Sequence, residues 1–245
     1  MNFSIITLTL NSKKTLIKTI NSVLSQIGPD DEYLIIDGGS KDGTLQYLES
    51  IKNKQIKIFK NINYKIYGSL NFAIKNSKNE IIGIIHSDDY YDRKVLFEVR
   101  KRFIENKNTD IVYGKLSKIY QNKTKIFSVN SYITKSKIIE MLNHVHPTVF
   151  VKKKIYNGIL FDEKYRLAAD MDFFLKLSKT NMNIEFIDQV IAFQMYGGAS
   201  DLNRFKIAVE NLKIYANHGL YLKGIINFIY LLLKNFKITL RNYVS

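Results

Sequence analysis

Apolar runs of strand length alternate with amphipathic segments of helix length through the first hundred residues, and this rhythm restricts the fold more than any other feature. Parallel strands need long crossovers, and helices on both faces cover the sheet, so the alternation predicts a mostly parallel α/β sheet. Strands are expected near residues 4–8, 33–37, 56–59 and 81–85, with helices near 14–26, 44–52, 69–76 and 94–106. After residue 106 the rhythm breaks. Strands are expected at 111–116 and 125–129, then a polar helix at 137–143, a strand entered through 146–151, and a helix beginning near Asp170, where Phe173, Phe174 and Leu177 share an apolar face. The second half therefore reads as α+β. One continuous domain over residues 1–200 is the simplest organisation.

Residues 201–245 read as a basic, helical C-terminal extension. No acid follows Glu210, and Lys223, Lys234, Lys237 and Arg241 return to one helix face while Ile225, Ile226, Phe228, Ile229, Leu231, Leu232 and Leu233 cover the others. The longest uncharged run, 224–233, is half the ~20 residues that a bilayer span requires. The pattern fits a helix lying in the interface of an anionic membrane, or one packed on its own domain or on a partner subunit.

With 245 residues, 46% of them hydrophobic, the chain can bury one sizeable core with an appendage. It has no cysteine, which removes disulfides, thiolate nucleophiles and cysteine-ligated zinc and fits a reducing compartment. The start, Met1 to Ile6, runs straight into a strand pattern, so no signal peptide is expected. The 37 basic residues outweigh the 22 acidic ones, and such a surface attracts nucleic acid, anionic lipid or nucleotide phosphates. No zinc-finger spacing, ribonucleoprotein motif or helix-turn-helix pattern accompanies the charge, so no nucleic-acid partner is expected.

Two adjacent acids, Asp88 and Asp89, follow the apolar run 81–85, at the carboxyl end of a strand where open α/β sheets bind ligands. Adjacent carboxylates repel each other unless a cation lies between them and an anionic substrate. Either acid could instead cap the helix that follows. A second strand ends in Asp37-Gly38-Gly39-Ser40-Lys41-Asp42-Gly43-Thr44, where glycines allow tight turns and Asp37 can accept hydrogen bonds from a base or ribose. The same octapeptide could be a turn followed by a helix cap, and it is not a dinucleotide fingerprint.

The segments Ser4 to Asn11, Ser22 to Gln26, Ile35 to Thr44 and Ser87-Asp88-Asp89 resemble those of family-2 inverting glycosyltransferases. The segments His146 to Val151, Ala168 to Leu175 and Gly197-Gly198-Ala199-Ser200 are similar to that family's acceptor-side motifs, so the resemblance covers residues 3 to about 200. It implies a GT-A fold, a nucleotide-sugar donor, most simply a UDP-sugar, and a divalent metal, Mn2+ or Mg2+. It further implies that Thr7, Thr9, Asn11 and Asp37 cradle the nucleoside, that Asn71 and Ser87 lie on the donor side, and that Asp88 serves the ribose and the metal. Asp89 is the implied metal ligand and Asp170 the implied catalytic base, with Asp172 its nearby competitor. His146 is placed on the acceptor side or in a turn, and His86 carries less signal. Tyr67 matches a donor-side stretch, but Asn61, Asn63, Gly68 and Phe72 depart from the family's usual residues there.

The resulting expectation is an inverting hexosyl- or N-acetylhexosaminyl-transferase acting on a glycan or lipid-linked acceptor in bacterial surface polysaccharide assembly. It would be cytoplasmic and peripheral on the inner face of the cell membrane. A nucleotide-sugar-binding protein without turnover, a basic nucleic-acid-binding protein and a nucleotidyltransferase are the competing readings.

Overall fold

The computed structural model describes all residues except 61–63, 121–122, 130–133, 199–201 and 245, with side chains to residue 233. Asn61, Asn63, Ala199 and Ser200 lie outside the described residues. The first hundred residues follow the expected rhythm: β1 (Phe3–Thr9), α1 (Lys13–Leu24), β2 (Glu32–Asp37), α2 (Thr44–Ser50), β3 (Ile56–Phe59), α3 (Ile66–Asn76), β4 (Ile81–Ile84), the short β5 (Tyr90–Tyr91) and α4 (Val95–Glu105). Strands β3, β2, β1 and β4 lie side by side and parallel. Strands β1 and β2 are buried along nearly their whole length, which explains why they read as continuous apolar runs rather than alternating ones.

The second half extends the same sheet. It contains β6 (Ile111–Tyr120), β7 (Lys123–Phe127), α5 (Lys135–Met141), a 3-10 segment (Leu142–Thr148), β8 (Phe150–Lys152), α6 (Lys153–Tyr156), α7 (Ala169–Leu177) and β9 (Ile184–Met195). The sheet order is β3-β2-β1-β4-β8-β6-β9-β5, with β7 on β6. His146, Pro147 and Thr148 therefore close a 3-10 segment instead of entering a strand, which begins only at Phe150. The 12-residue β9 was not expected at all. Its pairing with β6 slips on both sides of Lys115, from Ile187 to Val190 to Ala192, and the bulge breaks the period-2 pattern that would reveal a strand.

Two helices end the chain, α8 (Arg204–Asn217) and α9 (Tyr221–Val244). Helix α8 stops in a Schellman turn: Gly219 has φ +76°, its N–H donates to the Ala216 carbonyl, and the Leu220 N–H reaches back to Tyr215. Helix α9 packs back through Gly224, where a Cβ would meet Tyr215 Cβ at 2.9 Å. Its opposite face is exposed, with Leu222, Ile226, Ile229 and Leu233 open to solvent. No helix among the described residues is long and apolar enough to cross a membrane.

Candidate active site

The strand order turns around at β1, whose neighbours β2 and β4 are its successors on opposite sides, and a crevice opens above their carboxyl ends. Asp37, Thr9 and residues 85–89 converge there, Thr9 sitting opposite Asp37 in the β1–β2 register. The loop after β2 is shaped by its own acids. Asp37 Oδ1 accepts the N–H groups of Gly39 and Ser40, each at 3.0 Å, and its other oxygen accepts the Ser40 hydroxyl. Asn11, at φ +50°, accepts the Lys41 N–H at 2.8 Å, and its own N–H donates to Ser40 Oγ at 2.8 Å. Asp42 accepts the N–H groups of Lys13 at 3.1 Å and Thr44 at 3.0 Å, fixing the starts of α1 and α2 to one point.

Several donor-side expectations meet different fates. Thr9 is buried and its hydroxyl lacks a partner among the described residues, so beside Asp37 it is an unspent polar group. The Ser87 hydroxyl donates to Ser12 Oγ at 2.9 Å, joining the end of β4 to the start of α1. Thr7 is buried, and its hydroxyl donates to the Ile85 carbonyl at 2.7 Å and pairs with the Tyr33 hydroxyl at 2.8 Å. Asn71 is likewise committed inside the protein. Its amide donates to the Phe161 carbonyl at 2.9 Å and to Glu163 at 3.0 Å, and it accepts the Phe161 N–H at 3.1 Å. These bonds give Thr7 and Asn71 structural partners within the fold, as the loop bonds do for Asp37.

Neither Asp88 nor Asp89 caps α4: the capping residue is Lys94, with no side-chain cap bond, and Asp92 bonds the Arg93 N–H. Asp89 is 2% exposed. Burial pushes its carboxyl well above the usual range and the neighbouring Asp88 adds to this, opposed by the Met195 N–H, the Gln194 side chain and Lys118. Asp88 is half-buried, and its Oδ2 lies 2.8 Å from where a Cβ on Gly198 would stand, so a side chain there would push the carboxylate aside.

Among the described residues no group of three or more His, Cys, Asp and Glu side chains is arranged to hold a metal ion. A divalent cation that bridges nucleotide phosphates needs only one or two carboxylates, and Asp88 with the under-compensated Asp89 fits that donor set.

Asp170 lies in the first turn of α7 with its side chain 21% exposed. Its Oδ1 accepts the Tyr67 hydroxyl at 3.2 Å and the Met171 N–H at 2.9 Å, while Oδ2 is 3.6 Å from His146 Nδ1. His146 is held edge-on to Phe174, ring centres 5.5 Å apart, and tilted against Phe161 at 6.0 Å. Burial, together with the Asp170 charge, raises the Tyr67 phenol well above its ordinary value, which keeps it a donor.

His86 is the residue that sequence reasoning undervalued. Burial and His146 lower its imidazole, while the charges of Asp88 and Asp170 pull it upward. Its position directly before Ser87-Asp88-Asp89 was the available signal. Asp172, the competing acid, is buried and paired with His218 at 2.8 Å and Lys176 at 2.7 Å.

A parallel switch point with paired acids at the tip of β4 and a further acid at a helix start across the crevice has the GT-A architecture of nucleotide-sugar transferases. The sequence profile described as "Glycosyl transferase family 2" matches residues 4–164, and the chain belongs to that family. An uncharacterized glycosyltransferase of Rickettsia conorii is 29% identical over 217 residues, 84% of this chain and 35% of that protein. The poly(ribitol-phosphate) beta-N-acetylglucosaminyltransferase TarS of Staphylococcus aureus is 28% identical over 72% of this chain and 32% of its own length. The minor teichoic acid biosynthesis protein GgaA of Bacillus subtilis is 30% identical over 71% of this chain and 43% of its own. The chain thus spans about a third of the first two of these relatives. Among solved structures, S. aureus TarS 1–349 in complex with UDP superposes with TM-score 0.69 and 26% identity, covering 86% of this chain and 66% of that one. The same protein with UDP-GlcNAc superposes with TM-score 0.71 at 24% identity.

Proposed function

We propose that this domain transfers a sugar from a UDP-sugar to an acceptor hydroxyl with inversion at the anomeric carbon, Asp170 acting as general base. The observation that carries the reading is the Asp170 carboxylate: part-exposed, with the Tyr67 hydroxyl on one oxygen and His146 beside the other. A carboxylate fixed in this way can accept the acceptor's proton as the oxygen attacks, and a single displacement inverts the centre. Asp37 and Thr9 supply polar groups for the nucleoside at the strand tips, and Asn11 and Ser40 hold the loop around them. Asp88, with Asp89 behind it, would hold Mn2+ or Mg2+, which supplies positive charge against the leaving nucleoside diphosphate.

The TarS complexes with UDP and UDP-GlcNAc favour a UDP-sugar, with N-acetylglucosamine the first donor to try. The names of TarS and GgaA, a poly(ribitol-phosphate) transferase and a teichoic acid biosynthesis protein, favour a polymer of that kind as acceptor. The exposed apolar face of α9, in a segment with no acid beyond Glu210, suits peripheral attachment to an anionic membrane on its cytoplasmic side.

The test is a panel of nucleotide sugars scored for release of nucleoside diphosphate with and without Mn2+ and acceptor polymers. Turnover of a UDP-sugar that Asp170→Asn slows by about a hundredfold or more, and that Asp88→Asn makes cation-insensitive and slow, is the expected result. Binding of UDP with no turnover across the panel would favour the binding-protein reading.

A further inference from the structure

Helix α7 begins without a side-chain cap: its N-cap is Ala168. The three residues leading into it nevertheless have their N–H groups satisfied by one carboxylate. Glu210, from the middle of α8, accepts the Arg166 N–H at 2.9 Å, the Leu167 N–H at 2.9 Å and the Ala168 N–H at 3.0 Å. Successive N–H groups turned towards one point form an anion-binding nest, and hydrogen bonds to an ionised acceptor are the stronger kind. Two residues later comes Asp170.

The same connection is held at its other end from the donor half, where Asn71 brackets Phe161 and Glu163. Asp172 is tied to His218 at the end of α8, so α7 and α8 are joined at two points. Glu210 lies beyond residues 4–164, where the family match ends, and in the segment that sequence reasoning set apart as an extension.

We infer that Glu210 is a positioning residue for Asp170, and that helix α8 belongs to the catalytic unit rather than to an appendage. The inference rests on the reading of Asp170 as base. Losing the Glu210 charge frees the 166–168 backbone, and the start of α7 then wanders by amounts that matter to proton transfer and not to nucleotide binding. Glu210 touches no reacting atom, so its contribution falls on kcat and leaves donor KM alone.

The experiment compares Glu210→Gln, Glu210→Ala, Asp170→Asn and the Glu210→Gln/Asp170→Asn double variant in the full chain. It measures kcat, donor KM and UDP affinity. Support is a tenfold or larger fall in kcat for Glu210→Ala at unchanged UDP affinity, partial recovery in Glu210→Gln, which retains one accepting oxygen, and no further loss when Glu210→Gln is added to Asp170→Asn. An unchanged kcat in Glu210→Ala, or kcat and UDP affinity falling together, overturns the inference. Asp170→Asn turning over at the parent rate overturns the base reading itself, whatever the Glu210 variants do.

Discussion

The Tyr67 hydroxyl donates to Oδ1 of Asp170 at 3.2 Å, joining residues 103 apart in sequence, one on α3 beside the donor crevice and the other at the start of α7. This bond occupies one carboxylate oxygen and leaves the other beside His146. A hydrogen bond to a charged group contributes about 1.5–3 kcal/mol. Tyr67→Phe is expected to lower kcat by roughly ten- to a hundredfold with UDP affinity unchanged, as read by steady-state kinetics and calorimetry. Equal loss of both would mean that Tyr67 shapes the nucleotide site instead.

Glu32 gives a pH-dependent prediction. Burial pushes its carboxyl upward, but Lys57, the Ser4 hydroxyl at 2.6 Å and the Lys78 N–H outweigh burial and hold it below the ordinary glutamate value. The unfolded chain then binds the proton more readily than the folded one. The stabilisation is therefore present above about pH 4.3, the ordinary glutamate value, and is lost as pH falls through the depressed folded value. Urea unfolding should find Glu32→Gln less stable than the parent at pH 7, with the gap closing below pH ~4.

Gly83 tests the packing between the two halves of the sheet. A Cβ there would lie 2.7 Å from the Phe150 ring and 2.9 Å from Ile5 Cδ1, both fully buried. Overpacking of this kind typically costs about 1–3 kcal/mol, so Gly83→Ala should lower the denaturation midpoint without altering the crevice residues. A midpoint within error of the parent would mean that Phe150 has room to turn.

For α9, the prediction concerns the solvent face alone. Ile226 and Ile229 are 60% and 51% exposed, so replacing both with glutamate leaves the packed face through Gly224 intact. The parent should sediment with vesicles containing phosphatidylglycerol and not with neutral ones, whereas the Ile226→Glu/Ile229→Glu protein should remain in the supernatant. Unchanged sedimentation would point to attachment elsewhere.

The parallel half of the sheet was legible because each of its elements announces itself locally, through apolar runs ending at Thr9, Asp37 and Ile84 and amphipathic crossovers between them. Asp88 stood out as one of two adjacent acids after an apolar run, and Asp170 through the segment that resembles the family's acceptor-side motif. What could not be read is what depends on partners distant in sequence. Thr7 and Asn71 carry suitable groups but spend them on Ile85 and Phe161. Strand β9 hides behind its bulge, and Glu210, a single acid in an amphipathic helix, resembles any solvated surface residue until the 166–168 backbone closes on it.

The Glu210 nest bears on how domains of this family can be recombined. A graft that moves residues 161–176 of this chain into another protein carries Asp170 but leaves behind Glu210, the carboxylate that holds the backbone leading to it. The exchangeable module is discontinuous, pairing the connection before α7 with α8, and a crossover placed between them separates a carboxylate from the three N–H groups that it neutralises.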